Sequence, residues 1–264
     1  MADDALALTR GTIPLLVSFP HAGTDIPPSI ARRMTEAGLL RADTDWHLPR
    51  LYDFVHEMGA STLVPRFSRY VIDLNRPPED SNLYPGQDTT GLVPLDTFRK
   101  EPLYLAGQEP DAAEIVERRE AYWKPYHDAL EDELARLRAA HGVVVLWDAH
   151  SIASVLPRFF EGRLPDLNLG TAGGRACSPS VQAAAEAHLR AQREYSHVTN
   201  GRFKGGYITR HYGRPAGGIH ALQMEMCHAT YMDEPQPFAY RPDLAAGVQP
   251  LLRCLLAAVV EAAQ

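Results

Sequence analysis

Cysteine, excess positive charge and long apolar runs are all scarce in this chain of 264 residues. The three cysteines are Cys177, Cys227 and Cys254, and their wide spacing is unlike the dense cysteine pattern of secreted disulfide scaffolds. Lysine and arginine number 26 against 33 acidic residues, which gives a net charge of −7. That balance argues against a nucleic-acid partner, because such binding requires broad neutralisation of phosphates.

The chain also lacks the segments that direct proteins to membranes. Its N-terminus is acidic without an apolar leader region, and no run of about 18 apolar residues is present. We therefore expect a cytoplasmic protein with no membrane partner.

Two widespread catalytic motifs are missing as well. The spacing Gly-x-x-x-x-Gly-Lys-Ser/Thr of a phosphate-binding loop does not occur, and neither does the Gly-x-Ser-x-Gly nucleophile elbow. A serine hydrolase is therefore disfavoured.

What the chain does contain is an alternation of short apolar runs and helical patterns. Residues 15–19, 61–64, 70–73, 143–147, 197–199, 207–209 and 221–226 read as strands, whereas 29–40, 48–58, 112–140, 181–193 and 244–263 read as helices. Two stretches, 76–111 and 156–178, read as loops. Pro125 is expected to kink or split the long helix that precedes the central strand. The pattern predicts a single α/β domain over residues 1–264, with a mixed, mainly parallel sheet between two helical layers.

Two histidines stand at the ends of predicted neighbouring strands. His21 follows the first strand and His150 follows the central strand. Ligands in such folds collect at the carboxyl ends of strands, and catalytic zinc takes three protein ligands and keeps one position open. The pair predicts a metal site, although each histidine alone is also explained by a structural hydrogen bond.

The third ligand is predicted from the acids near these strands. Asp45 is the first candidate, and its alternative role is to cap the helix that follows. His47 and Asp25 are weaker candidates. Asp148 lies two residues before His150 and is expected to orient a ligand from outside the metal's coordination sphere.

Glu225 lies within an apolar strand, where a carboxylate is costly unless it is paired or functional. Burial raises the pKa of a carboxyl group, which suits a general base. The alternative is that Gln223 and Glu225 share an outward-facing side of the strand.

Several arginines near strand ends are candidates for binding an anionic substrate. They are Arg66, Arg69, Arg76 beside Asn75, and Arg210. A guanidinium pairs with a carboxylate through two hydrogen bonds or stabilises a developing oxyanion, whereas a surface salt bridge is the alternative for any one of them.

Seven motifs, in this order, resemble the N-formylglutamate amidohydrolase family across nearly the whole chain. They are SFPHAG at 18–23, DTDW at 43–46, RYVIDLNR at 69–76, DAHS at 148–151, LPDLNLG at 164–170, NGRFKGG at 200–206 and QME at 223–225. That family is similar in turn to zinc carboxypeptidases and aspartoacylase, with matches at His21, Asn75–Arg76, His150–Ser151 and Glu225. The carboxypeptidase pattern has a ligating Glu three residues after its first histidine, where this chain has Thr24.

The resemblance implies a zinc-carboxypeptidase-like three-layer fold and hydrolysis of N-formyl-L-glutamate to formate and L-glutamate, a step of histidine breakdown. It implies Zn²⁺ or another divalent metal such as Co²⁺, held by His21, Asp45 and His150. Glu225 is then the general base, Arg76 a catalytic residue, and Arg69, Asn75, Arg202 and Arg210 bind the small anionic substrate. Two alternatives stay open: hydrolysis of another N-acyl amino acid, and a non-catalytic protein that binds metal or an acidic amino acid.

Overall fold

A mixed sheet of seven strands forms the centre of the computed structural model, which describes residues 5–83, 86 and 88–264. The strands are β1 Leu6–Thr9, β2 Leu15–Ser18, β3 Ser61–Pro65, β4 Val144–Ile152, β5 Leu167–Gly170, β6 His197–Thr199 and β7 Ile219–Cys227. Their order in the sheet is β1-β3-β2-β4-β7-β5-β6. Four of the pairings are parallel, and only β1–β3 and β5–β7 are antiparallel.

Helices cover both faces of this sheet. They are α1 Pro28–Ala31, α2 Glu36–Leu40, α3 Leu48–Leu51, α4 Val55–Met58, α5 Ala112–Arg118, α6 Lys124–His141, α7 Pro179–Ala191, α8 Tyr207–Tyr212 and α9 Pro242–Ala263. One apolar core joins the sheet to α3, α4, α7 and α9, and a second core joins its other face to α6 and α8. The predicted three-layer α/β architecture with a mainly parallel sheet is therefore confirmed.

The central strands β4 and β7 are apolar along their length because helices cover both of their faces. Residues of β4 are buried throughout, and β7 is buried from its second residue onward. The predicted run at 143–147 continues as a strand to Ile152, so Asp148 and His150 lie within β4 rather than after it.

Two predicted helices are each divided in the structure. The stretch 29–40 forms α1 and α2, and Thr35 caps α2 by accepting a hydrogen bond from the Gly38 backbone N–H. The stretch 48–58 forms α3 and α4, and α4 ends at Gly59 in the left-handed conformation, as expected for a helix stop.

Other predictions about local structure were wrong or incomplete. Residues 70–73 form turns rather than a strand, and 207–209 begin helix α8. The predicted loop 156–178 contains β5. Residues 76–111 show no helix or strand where they are described; residues 84, 85 and 87 lie outside the described part.

The long helix before β4 is split as predicted. A π-helical turn at Arg119–Trp123 separates α5 from α6, immediately before Pro125, and Gly142 ends α6 in the left-handed conformation.

The last helix, α9, is amphipathic as predicted. By length and composition alone it is long and apolar enough to cross a membrane, with a mean hydropathy of 1.5 in its most apolar window. One face of it, which includes Val248, Leu252 and Leu256, is buried in the core. This face of α9 therefore packs against the rest of the fold.

Candidate metal centre and reaction cavity

The carboxyl ends of β2 and β4 bring three potential metal ligands together. His21 follows β2, His150 lies near the end of β4, and Asp45 lies in the loop before α3. Their ligand atoms all lie within 4.8 Å of one another, and all three side chains are buried. Because β2 and β4 pair in parallel, residues that follow the two strands meet at one edge of the sheet.

The geometry of this group fits a divalent cation. Oδ2 of Asp45 lies 3.1 Å from Nδ1 of His150 and 3.7 Å from Nδ1 of His21. Oδ1 of Asp45 is buried and accepts no hydrogen bond from any described residue. Two imidazole nitrogens and a carboxylate are the donor set of catalytic zinc sites, and a buried carboxylate oxygen without a partner is costly unless a cation offsets it.

The loop that carries Asp45 does not use this acid as a helix cap. The N-cap residue of α3 is His47, in the left-handed conformation with φ 63°, and no side chain caps that helix. The backbone N–H of Asp45 instead donates to the carbonyl of His21 at 3.0 Å. The loop is therefore tied directly to the residue that offers the first ligand.

A buried carboxylate lies at the other ring nitrogen of each histidine. Oδ1 of Asp73 lies 2.7 Å from Nε2 of His21, and Oδ1 of Asp148 lies 3.2 Å from Nε2 of His150. Such partners fix the ring orientation, so that Nδ1 of each ring faces Asp45. The sequence pointed to Asp148 for this position, but it gave no role to Asp73, which was hidden in the incorrectly predicted strand 70–73.

The electrostatics of the group differ between its two histidines, because burial and Arg69 lower the pKa of His21. Burial lowers the pKa of His150, but the carboxylates of Asp148 and Asp45 outweigh burial and hold that pKa well above its usual value. Burial raises the pKa of Asp73, yet His21 and Arg69 reverse this and keep it well below the ordinary range. A cation bound among these acids would therefore be stabilised by charges already in place.

Glu225 faces the same edge from the neighbouring strand β7. It lies opposite His150 in the parallel register, is only 7% exposed and lines the cavity beside the ligand group. Burial is the largest cause that raises the pKa of this carboxyl to about 8. The alternative of an outward-facing strand residue does not describe this position, since β7 is covered on both faces.

A cavity opens from the ligand group to solvent. Beside His21, His150 and Glu225, its lining combines cationic, polar and aromatic side chains: Arg69, Arg76, Arg202, Asn75, Gln223, Phe98, Phe159 and Phe203. Arg210 is not among the described residues that line it, and its Nε donates to the Gly205 carbonyl at 2.7 Å.

The arginines of the cavity differ in the groups to which they donate hydrogen bonds. Nη1 of Arg69 lies 3.1 Å from Nδ1 of His21, and its Nη2 donates to Asp73 at 2.7 Å. Arg76 donates to Thr90 at 3.3 Å, and Nε of Arg202 donates to the Phe159 carbonyl at 2.6 Å. Arg69 is thus the arginine in contact with a candidate metal ligand.

Asn75 links His150 to helix α8. Its Nδ2 lies 2.9 Å from Nε2 of His150, and its Oδ1 accepts from the backbone N–H of Ile208 at 2.8 Å. Helix α8 therefore holds the Asn75 amide against the metal-side histidine.

The two weaker ligand candidates lie apart from this group. Asp25 is an exposed acid that pairs with Nε of Arg66 at 2.7 Å. Nε2 of His47 lies 2.7 Å from the carbonyl of Phe238. Neither belongs to the ligand group found among the described residues.

The chain is similar to one protein family and to two of its characterised relatives. Residues 13–232 match the model of the N-formylglutamate amidohydrolase family. An N-formylglutamate deformylase of Pseudomonas aeruginosa is 52% identical over 254 residues, which cover 96% of this chain and 95% of that protein. A second N-formylglutamate deformylase, from Pseudomonas putida, is 48% identical and covers 98% and 96% of the two chains.

Solved structures agree with the fold. A crystal structure of N-formylglutamate amidohydrolase from Ralstonia eutropha superimposes with a TM-score of 0.81 at 26% identity, covering 98% of this chain and 97% of that one. A gene product of Agrobacterium tumefaciens shares the fold, with a TM-score of 0.72 at 20% identity over 98% of this chain and 96% of that chain.

Proposed function

Because the chain belongs to the N-formylglutamate amidohydrolase family, we propose that it hydrolyses N-formyl-L-glutamate to formate and L-glutamate. The observation that carries this proposal is the convergence of His21, Asp45 and His150 beside Glu225 in an arginine-lined cavity. The arginines of this cavity suit a small substrate with two negative charges. The ligand group and Glu225 suit the cleavage of an amide bond by water.

The proposal includes a divalent cation, Zn²⁺ or Co²⁺, held by His21, Asp45 and His150. When bound there, such a cation supplies Lewis acidity that polarises an amide carbonyl and lowers the pKa of water. Asp73 and Asp148 keep the two imidazole rings in the orientation that directs Nδ1 towards this position.

Glu225 has the position and the environment of a general base. Its carboxylate accepts a proton as the oxygen of water forms a bond to the formyl carbon. The same carboxyl then donates that proton to the nitrogen as the C–N bond breaks, so that formate and the free amine leave and Glu225 returns to its starting state. Burial raises the pKa of Glu225 above the usual carboxyl value, towards the range in which one group both accepts and donates a proton.

The cavity arginines divide between the reacting carbonyl and the substrate carboxylates. Arg69 contacts His21 and is fixed by Asp73, so its guanidinium is placed to stabilise negative charge developing on the carbonyl oxygen. Arg76 and Arg202 also line the cavity and bind the two carboxylates of the substrate. Arg210 has no part in this assignment, because it does not line the cavity.

Formate release from N-formyl-L-glutamate, measured together with bound metal, tests the proposal. We expect chelation to abolish turnover, zinc or cobalt to restore it, and His21→Ala and His150→Ala to lose both metal and activity. His56→Ala, at an exposed histidine of α4, is the matched control and is expected to retain both.

Full turnover in metal-free protein would contradict the role of the cation. Stoichiometric metal binding without formate release would support the non-catalytic alternative. Faster turnover of N-acetyl- or N-succinyl-L-glutamate than of the formyl compound would instead favour a different N-acyl substrate.

A further inference from the structure

Gln223 stands beside the proposed base on the same strand. Side chains two residues apart on a strand point to the same side, so Gln223 and Glu225 both face the cavity from β7. Gln223 is buried, at 4% exposure, and no step of the proposed reaction uses it.

The backbone of Gly206 fixes the orientation of the Gln223 amide. The N–H of Gly206 donates to Oε1 of Gln223 at 2.8 Å, so this end of the amide must be the oxygen. The NH₂ end therefore faces Glu225, where Nε2 lies 3.3 Å from Oε2. The direction of this second hydrogen bond follows from the first.

Gly206 can hold this amide only because it lacks a side chain. A Cβ atom at this position would collide with the side chain of Asn75. Gly206 is the N-cap residue of α8, and the next backbone N–H, that of Tyr207, donates to the carbonyl of Asn75 at 3.3 Å. The anchor for Gln223 is thus part of the packed backbone around the site.

Within the described residues, the Gln223 amide is the only hydrogen-bond donor to the carboxylate of Glu225. A carboxylate rotates about its last bond and presents two equivalent oxygens, so one donor is enough to set its plane and to distinguish the oxygens. Oε2 is engaged by Gln223, which leaves Oε1 to take the proton. A carboxamide suits this task because it stays neutral and keeps donating whether or not Glu225 carries the proton.

We propose that Gln223 is a positioning residue that holds Oε2 of Glu225 and thereby directs Oε1 at the attacking water. This inference rests on the proposed function, in which Glu225 is the general base. It predicts that losing the Gln223 donor lowers kcat and leaves substrate binding nearly unchanged.

Two substitutions separate this role from simple support of Gly206. Gln223→Glu keeps an oxygen that accepts from Gly206 but replaces the donor to Glu225 by a second acceptor. Gln223→Met removes both polar contacts at similar length. If Gln223 orients the base, Gln223→Met loses activity only while Glu225 is present; if it only supports Gly206, Gln223→Met loses as much activity when Glu225 is replaced by glutamine.

The experiment measures kcat and KM for formate release from N-formyl-L-glutamate by the metal-loaded enzyme. We expect kcat to fall about 10-fold or more in both variants, with KM within about 3-fold of wild type. Gln249→Met, at a glutamine of α9 that donates to the Leu51 carbonyl, is the matched control and is expected to keep the wild-type kcat. Wild-type turnover, measured first, tests the proposed function separately.

A double-mutant cycle with Glu225→Gln completes the test. We expect Gln223→Met to change the residual kcat of Glu225→Gln less than about 2-fold, because the group that Gln223 positions is already lost. Wild-type kcat in Gln223→Glu, or an equal loss from Gln223→Met in both backgrounds, would overturn the inference. If Gln223→Met does not fold, the smaller Gln223→Ala takes its place in the same cycle.

Discussion

At the scale of single residues, Asp73 organises more of the site than any motif indicated. Its Oδ1 lies 2.7 Å from Nε2 of His21 and accepts from the backbone N–H of Asn75 at 2.9 Å. Its Oδ2 accepts from Arg69 at 2.7 Å, and that guanidinium also lies 4.7 Å from the ring centre of Phe98. One carboxylate therefore sets both the ring orientation of a candidate ligand and the position of the nearest arginine.

We predict that Asp73→Asn weakens metal binding by about 10- to 100-fold, because the amide no longer holds the protonated Nε2 of His21 as strongly. Competition with a chromogenic chelator measures the affinity for Zn²⁺. Asp25→Asn, at an exposed acid whose carboxylate pairs with Arg66, is the control and should leave the affinity unchanged. An unaltered affinity in Asp73→Asn would show that the His21 ring is held by other means.

The sequence was most informative about residues whose chemistry conflicts with their surroundings. Histidines at the ends of apolar strands and an acid inside an apolar strand are unusual, and they directed attention to His21, His150 and Glu225. Asp73 carried no such signal, because it was the last residue of a run that resembled an ordinary strand. Gln223 was noticed only as a strand neighbour of Glu225, since the N–H group that orients it belongs to a distant segment.

At the scale of elements, Tyr231 joins the loop of Asp45 to the end of β4. It follows the short 3₁₀ turn after β7 and is fully buried. Its hydroxyl lies 2.7 Å from Oγ of Ser151 and donates to the carbonyl of Trp46 at 2.8 Å. Ser151 and Trp46 each adjoin a candidate metal ligand, so this hydroxyl helps to fix the distance between those ligands.

We predict that Tyr231→Phe lowers the affinity for Zn²⁺ by about 5-fold, which corresponds to about 1 kcal/mol for the lost hydrogen bonds. Tyr52→Phe is the matched control: Tyr52 is also buried, but its hydroxyl contacts Trp147 and Met226 instead. Both variants should lose thermal stability, whereas only Tyr231→Phe should lose metal affinity. Equal affinities for Zn²⁺ in the two variants would show that Tyr231 does not help to position the metal ligands.

Elements with strong periodicity were predicted well from the sequence, and those set by tertiary contacts were not. The strand at 207–209 was predicted from aromatic and β-branched residues, which favour strands. In the structure these residues begin α8, where the N–H of Ile208 is bonded to the distant side chain of Asn75. The short helix α8 is thus stabilised by a partner that local sequence cannot reveal.

At the scale of the whole molecule, one sheet combines strands from both halves of the chain. β1 and β3 precede residue 66, whereas β5, β6 and β7 follow residue 166. The ligand group draws on the first quarter of the chain and on β4, and Glu225 comes from β7. This interleaving supports our proposal that residues 1–264 form a single domain.

Stability of the whole molecule is predicted to fall in mild acid because of His127. This buried side chain of α6 lies 2.9 Å from both the Leu74 carbonyl and the Tyr212 hydroxyl, and burial lowers its pKa to about 3. The unfolded chain, with an ordinary pKa of 6.5, therefore binds a proton that the folded state does not. The stability that neutral His127 provides is complete above pH 6.5 and is lost as the pH falls towards 3.

Urea unfolding between about pH 7 and about pH 5 checks this prediction. His127 should reduce the free energy of unfolding by up to about 1.4 kcal/mol per pH unit below its unfolded pKa. In His127→Gln, whose side chain does not titrate, the free energy of unfolding should depend less steeply on pH than in wild type. His56→Gln, at an exposed position of α4, is the control and should follow the wild-type curve. Parallel curves for wild type and His127→Gln would exclude His127 as the source of acid sensitivity.

An anomalous difference map, recorded across the zinc absorption edge from crystals grown with Zn²⁺, tests most directly whether His21, Asp45 and His150 bind a divalent cation. We expect one strong peak about 2.0–2.2 Å from a ring nitrogen of His21, a ring nitrogen of His150 and a carboxylate oxygen of Asp45. A peak held by other side chains, or no peak among these three in protein that releases formate, would contradict it.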